Sequence, residues 1–485
     1  MAGGIPRTIA KETRLTVMRA LRVPGAIWWA APYSTAFSCT LPPGSTLRCI
    51  AGVTLDEPDV LIEAMPEADV EALLVPKEDR LASKYRGYTL YLKASGLGAD
   101  YEPTPHGAPV MTSEEFAAAL KRTDDDYETL RDRYRGVMLG TAVGDSVGLP
   151  AEGIPRARMA RLFPGPWKQR LLPGIGMLSD DTEHAAMVAH ALLSNPHDPA
   201  AFARDLGSQI KGWAMSLPAG IGLATLKSAL KLMVGFGPAR SGVYSAGNAP
   251  AMRGGPMGAF FHNAPDLLEP HVRASTVLSH TDPRALTGAL AVARLIALTI
   301  PRPAAKGPPS AETVAGVLRS CAIEADAEWD GIVARMSGAW AQGMSVEAFA
   351  DSIGLERGVS GYVYATVPVA VYAWLRHWGD FRRTLESVFA LGGDTDTVGA
   401  VTGALAGASV GLGGIPREWA GRIVDCPEGR RALVRLADAL FTQSVWSEPP
   451  ARRLRRPLWS LRLARNMVFL CIVLAHGFRR LLPPY

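Results

Sequence analysis

At 485 residues, with 48% hydrophobic and 20% charged side chains, the chain is long enough for two or three globular domains with sizeable cores. Its five cysteines (Cys39, Cys49, Cys321, Cys426, Cys471) are scattered without CxxC spacing, which excludes a disulfide framework and a zinc site and fits a reducing cytoplasm. The net charge of +5 is uneven: residues 446–485 hold eight arginines and one glutamate, so the body is near neutral and no specific nucleic-acid binding is expected.

Residues 1–125 read as a small β-rich or α+β module. Short apolar runs at 26–30 and 88–92 are separated by turn signals, among them Pro-Pro-Gly-Ser at 42–45. The beginning of the chain shows no basic-then-apolar targeting pattern. Cys39 and Cys49 read as core or surface thiols, since no third soft ligand is near. Thr112 to Glu115 opens a short helix through Phe116, Leu120 and Lys121. Nothing in this module carries recognisable chemistry.

From Asp124 the period turns helical, over 127–148 and again over 198–213, 220–234, 284–300, 311–324, 327–342, 346–352, 363–377 and 380–390. Residues 126–445 therefore read as one largely helical domain, with the Pro-rich stretch 301–309 as a surface loop inside it. Gly144-Asp145-Ser146-Val147-Gly148 matches the G-x-S-x-G elbow of serine hydrolases. That motif follows a strand, whereas the residues before Gly144 are small and helically spaced, so the hydrolase elbow is set aside.

Two acidic stretches concentrate the chemistry. One is Leu178-Ser179-Asp180-Asp181-Thr182-Glu183-His184; the other, at 391–400, is Leu-Gly-Gly-Asp-Thr-Asp-Thr-Val-Gly-Ala. Each sets hydroxyls beside paired acids at the start of a helix of small residues. Such acids can simply cap a helix. Without nearby Lys or Arg, however, they repel one another unless a cation neutralises them. Oxygen donors that include hydroxyls suit a hard ion such as Mg²⁺ or Mn²⁺, so the stretches are read as halves of one metal site. Gly399, Gly403, Gly407 and Gly411 share one helical face, where another backbone can approach closely. Between the acidic stretches lies a glycine-rich loop, 245–255, which is either a plain turn or a cradle of N–H groups for a diphosphate or sugar.

The tail, 446–485, places Arg452-Arg453-Leu454-Arg455-Arg456 before an apolar run at 467–475 that Arg479-Arg480 closes. That run is shorter than the roughly 20 residues of a membrane span. Two readings stand: a basic amphipathic helix on an anionic membrane surface, or a terminal helix docked on the body with its arginines in water.

In order along the chain, Gly-Asp-Ser-Val-Gly-Leu-Pro-Ala-Glu (144–152), Ser-Asp-Asp-Thr (179–182), Gly-Asn-Ala-Pro-Ala-Met-Arg (247–253), Ser-His-Thr-Asp-Pro-Arg (279–284) and Gly-Gly-Asp-Thr-Asp-Thr (392–397) resemble the motifs of the ADP-ribosylglycohydrolase family. That family includes dinitrogenase reductase-activating glycohydrolases and the ADP-ribosylarginine and ADP-ribosylserine hydrolases. The resemblance covers about residues 126–440 and leaves out the module and the tail. It implies an all-α ADP-ribosylglycohydrolase domain with two Mg²⁺ ions, or Mn²⁺, held by Ser179, Asp180, Asp181, Asp394, Asp396 and Thr397. Glu152 falls where the family has a mobile glutamate near the metals. Ser245, Gly247, Asn248, Met252, Arg253, His280, Gly392 and Gly393 would bind the ADP-ribose. Ser179 stands where threonine is common, and Ala249-Pro250 replaces a more usual Gly-Ala or Gly-Ser.

The implied activity is release of ADP-ribose from a modified protein side chain or small-molecule conjugate, with water attacking C1″. Glu152, Asp181 and Asp396 would handle the proton and the water. Two other readings are a non-catalytic ADP-ribose-binding protein and an immunity protein that blocks an ADP-ribosylating toxin through residues 1–125. A cytoplasmic location is expected, peripheral to a membrane if the tail binds lipid.

Overall fold

The computed structural model describes residues 113–480 apart from 304–305, 425 and 447–453, together with strand segments between residues 8 and 103. The chain divides into two compact units, Met1–Glu128 and Thr129–Tyr485.

In the first unit, seven strands form one antiparallel sheet: β1 (Arg14–Val17), β2 (Leu21–Ala30), β3 (Tyr33–Leu41), β4 (Thr46–Cys49), β5 (Leu61–Pro66), β6 (Arg86–Lys93) and β7 (Tyr101–Pro103). Their order across the sheet is β3-β2-β6-β5-β4-β1-β7. The apolar runs at 26–30 and 88–92 pair directly, with Trp28 opposite Tyr88. Alternate side chains (Leu15 and Val17, Ile62 and Ala64, Leu90 and Leu92) are buried, the period-two pattern of a sheet with one face in a core. Cys49 is a buried free thiol, and burial pushes its pKa up to about 11. The Cys39 side chain, Pro42, Gly44 and Thr112 lie outside the described residues.

Helix α1 (Ser113–Gly148) runs unbroken where a short helix and a second, separate one were expected. Neither glycine nor proline occurs between Ser113 and Arg135 to break it, and Lys121 pairs with Asp125 one turn on. The other principal helices are α2 (Asp180–Ser194), α3 (Pro199–Met215), α4 (Pro265–Val277), α5 (Pro283–Thr299), α6 (Val363–Arg376), α7 (Phe381–Phe389), α8 (Thr395–Val410), α9 (Arg430–Trp446) and α10 (Trp459–Arg479). Of these α4 and α9 have no counterpart in the sequence reading; Pro265 and Pro270 punctuate α4.

The second unit is built around α8, which is buried along nearly its whole length and packs against α5, α6 and α7. Its glycines meet those of α1. An added Cβ at Gly140 would lie 2.0 Å from the Gly403 carbonyl oxygen, and one at Gly144 would lie 1.9 Å from that of Gly399. Gly136 faces Gly407 in the same way. The two backbones therefore touch in antiparallel contact. The C-terminal end of α1 comes to rest beside the N-terminus of α8, where Thr395 Oγ1 donates to the Gly148 carbonyl at 2.8 Å.

The tail helix α10 docks on this unit, as one of its two readings anticipated, but with Arg462 and Arg465 turned inward rather than into water. The buried Arg462 pairs with Glu428 at 2.9 Å, and Asn466 donates to the Ser216 carbonyl at 2.8 Å. At 21 residues α10 outruns the uncharged stretch 467–475, and by length and composition it is apolar enough to cross a bilayer.

Candidate active site

Asp145 begins the site from inside α1. Its carboxylate, fully buried, accepts from the Ser179 amide at 3.1 and 2.9 Å, from the Thr182 amide at 3.3 Å and from the Thr182 hydroxyl. These bonds satisfy orphan N–H groups of the first turn of α2, so a side chain on α1 fixes where α2 starts. Burial pushes the Asp145 pKa up to about 6, against the pull of the same hydrogen bonds. The serine-hydrolase elbow is absent: residues 144–148 are helical, and Ser146 is buried and accepts from Gln169 at 2.8 Å.

The two acidic stretches meet. Thr397 Oγ1, in the first turn of α8, donates to Asp181 Oδ2 at 3.2 Å, and Ser179 Oγ donates to the same oxygen at 3.1 Å. The other oxygen, Asp181 Oδ1, is buried with no hydrogen-bond partner. Burial raises Asp180, Asp181 and Asp396 well above the usual carboxylate range. The neighbouring acids add to each shift: Asp145 and Glu152 act on Asp180, Asp180 and Asp145 on Asp181, and Glu152 and Asp394 on Asp396. Two helix N-termini also point at this cluster and favour negative charge there.

Glu152 stands at the lip, its residue exposed. The surrounding protein, then Asp394, raises its carboxyl, while Arg480 pulls it down. Gly392 and Gly393, at φ +68° and +85°, form the bridge beneath. They pair with Pro155 and Ile154 on one side, and on the other Val359 N donates to the Gly392 carbonyl at 3.0 Å. A Cβ on Gly393 would sit 2.0 Å from the Val359 carbonyl, so only glycine lets the Asp394 loop pass between these backbones.

A family model described as ADP-ribosylglycohydrolase matches residues 126–449. The chain belongs to the ADP-ribosylglycohydrolase family. It is similar to an uncharacterized protein of Archaeoglobus fulgidus, at 30% identity over 324 residues covering 64% of this chain and 97% of that one. It is also similar to the ADP-ribosyl-[dinitrogen reductase] glycohydrolase of Rhodospirillum rubrum, at 26% identity over 321 residues and the same coverages. A solved chain from an ADP-ribosylglycohydrolase-related protein complex matches with a TM-score of 0.50 and 28% identity, over 65% of this chain and 99% of that one. The protein is accordingly a glycohydrolase. Its catalytic unit carries the match, and the strand module and α10 lie beyond it.

In this ADP-ribosylglycohydrolase the glycine-rich loop is tied to the acidic cluster. Asn248 Nδ2 donates to Asp394 Oδ2 at 2.7 Å and to Thr366 Oγ1 at 2.9 Å, and the Gly247 amide donates to Ser245 Oγ at 3.3 Å. His280 packs beneath Gly247, whose added Cβ would meet His280 Nε2 at 2.9 Å. Burial, then Arg253, drives the His280 pKa down to about 3, so its ring is neutral. Met252 and Arg253 are buried beneath the loop rather than facing out of it. The Arg253 guanidinium donates to the Ser275 carbonyl at 2.7 Å and to Ser279 Oγ at 2.6 Å, and it contacts His184 Nδ1 at 3.3 Å. It braces the loop from below.

Among the described residues, no group of three or more His, Cys, Asp or Glu is arranged to hold a metal by itself. The donor chemistry nevertheless fits a hard cation: several buried carboxylates, two hydroxyls bonded to one of them, and the buried, unpartnered Asp181 Oδ1. Asp145 is the member that sequence reasoning did not place in the site. It stands in the quoted 144–152 motif, but its partners lie 34 and 37 residues on.

Proposed function

We propose that this glycohydrolase removes ADP-ribose from a modified acceptor, a protein side chain such as arginine or a small-molecule conjugate, in a metal-dependent reaction. The carrying observation is that Asp181, from α2, and Thr397, from α8, share a hydrogen bond while Asp181 Oδ1 stays unpartnered. Ser179, Asp180, Asp181, Asp394, Asp396 and Thr397 would hold two Mg²⁺, or Mn²⁺. Bound divalent ions supply positive charge that offsets the carboxylates, orients the ribose hydroxyls and acidifies water.

The chain's own groups do the rest. Cleavage of an N- or O-glycosidic bond at C1″ develops positive charge on the ribose, and the carboxylates grouped around Asp181 and Asp396 stabilise it. Glu152, exposed at the lip with a raised affinity for protons, is placed to exchange a proton with the departing acceptor or the entering water. The loop at 245–253, held to Asp394 through Asn248, orients the diphosphate side of the substrate against the cluster.

The test is ADP-ribose release from an ADP-ribosylarginine protein, with Mg²⁺ and then with EDTA. Release that EDTA abolishes and Mg²⁺ restores is the expected result, and Asp396→Ala removes it. If Asp396→Ala binds metal normally and retains full turnover, the assignment fails. Calorimetric binding of ADP-ribose without release from any acceptor would instead favour the reader function.

A further inference from the structure

We propose that the outward face of α10 is a docking surface for an anionic phospholipid bilayer, on which the glycohydrolase lies as a peripheral protein. This inference rests on the tail and the groove beside it, and not on the reading of the active site.

Helix α10 is amphipathic the wrong way round for a surface helix of a soluble protein. Its polar side chains face the body. Arg462 meets Glu428, Asn466 meets Ser216, Arg465 donates to the Leu178 carbonyl and His476 contacts the Leu171 carbonyl. Just past the helix end, Arg480 donates to the carbonyls of Glu152 at 2.7 Å and Pro150 at 3.0 Å. Phe469 packs with Leu149 and Leu171 of the body, yet the outward face is apolar too: Leu461, Met467, Val468, Leu474 and Phe478, the last two 50% and 68% exposed. Single exposed hydrophobes are ordinary, but here they occupy one continuous face of a helix that is otherwise firmly docked.

Charge decides what covers that face. Arg455 is exposed before the helix and Arg479 at its end, and Trp459 is exposed at its first turn, where an aromatic ring suits a headgroup layer. Beside the helix runs a groove of about 720 Å³. Leu171 and Ile472 give it an apolar floor, and Lys168, Arg170 and Arg479 line it with basic groups. An acyl chain with an anionic headgroup matches both parts. A second copy of this chain would instead bring the same basic groups against each other. The inward polar anchors extend from Arg462 to Arg480, which holds the helix along the protein surface and in the plane of the bilayer rather than across it.

The experiment uses the full chain and co-flotation with vesicles, of phosphatidylcholine alone or mixed with phosphatidylglycerol, across a salt series. The expected result is binding to the mixed vesicles that weakens as salt rises, with little binding to the neutral ones. Leu474→Glu/Phe478→Glu should weaken that binding by about tenfold or more while ADP-ribose release is unchanged. Met467→Ser/Val468→Ser repeats the test if the charged pair disturbs packing. Absence of binding to phosphatidylglycerol vesicles overturns the proposal. So does equal binding by both double variants, or a dimer seen by light scattering in lipid-free buffer that the variants dissociate.

Discussion

Asp145 carries more of the site than its place in the middle of a helix suggests. It holds two amides and a hydroxyl at the start of α2, all in a pocket closed to water. Asp145→Ala strands those donors, and with a net cost of about 1–3 kcal/mol for the unsatisfied groups the urea midpoint should fall clearly. Asp145→Asn, which keeps one acceptor oxygen, should lose less. Thr397 poses a separate question, because its hydroxyl touches Asp181 without filling a core. Thr397→Val should leave thermal stability nearly unchanged and lower Mg²⁺ affinity or turnover by about 10–100-fold, read by calorimetry and by ADP-ribose release. At this scale the sequence was informative about residue type and mute about partner. Asp180, Asp181, Asp394 and Asp396 stood out as acids lacking nearby cations. That Asp145 anchors Ser179, or that Arg253 turns inward, depends on contacts between elements far apart in the chain.

Between elements, the glycine faces of α1 and α8 predict opposite effects for one kind of substitution. Gly140→Ala places a methyl 2.0 Å from a backbone oxygen that cannot yield without separating the helices, so it should destabilise by about 2–3 kcal/mol and reduce activity with it. Gly338, in the helix Ala327–Ala341, has nothing within 4 Å of an added Cβ. Gly338→Ala should therefore stabilise by about 1 kcal/mol, through helix propensity alone. Paired melting curves check both. The i, i+4 glycines of α8 were legible as a face awaiting a close neighbour, because periodicity survives in one dimension. The neighbour was not, although Gly136, Gly140, Gly144 and Gly148 repeat the same spacing. Helix α4 is hidden for the opposite reason: Pro265, which reads as a stop, opens it at the first helical position, and Pro270 lies within it.

For the molecule as a whole, the burial of His190, reinforced by the docked tail, makes stability depend on pH. Burial, then Arg456 and Arg462 of the tail, lowers His190 from 6.5 to about 4. A histidine whose folded pKa is depressed binds its proton more readily when unfolded, so stability is full above pH 6.5 and is lost as pH falls towards 4. The loss is at most about 3 kcal/mol. His190→Leu should flatten the urea-midpoint profile across that window, whereas a wild-type profile flat between pH 7 and 4 would contradict the assignment. The tail's basic composition was plain in the sequence, but the direction each arginine faces was not, since that depends on carbonyls and carboxylates supplied by the body.

The contact between α1 and α8 also sets a clock on synthesis. Gly148 and Thr395 are 247 residues apart. At about 5–20 residues per second, α1 leaves the ribosome roughly 10–50 s before its partner exists. Through that interval its glycine ridge has nothing to meet and Asp145 has no finished cluster to join. The catalytic centre is thus among the last features a nascent chain can acquire, and any nascent fragment ending short of Leu391 is a scaffold that lacks Asp394 and Asp396.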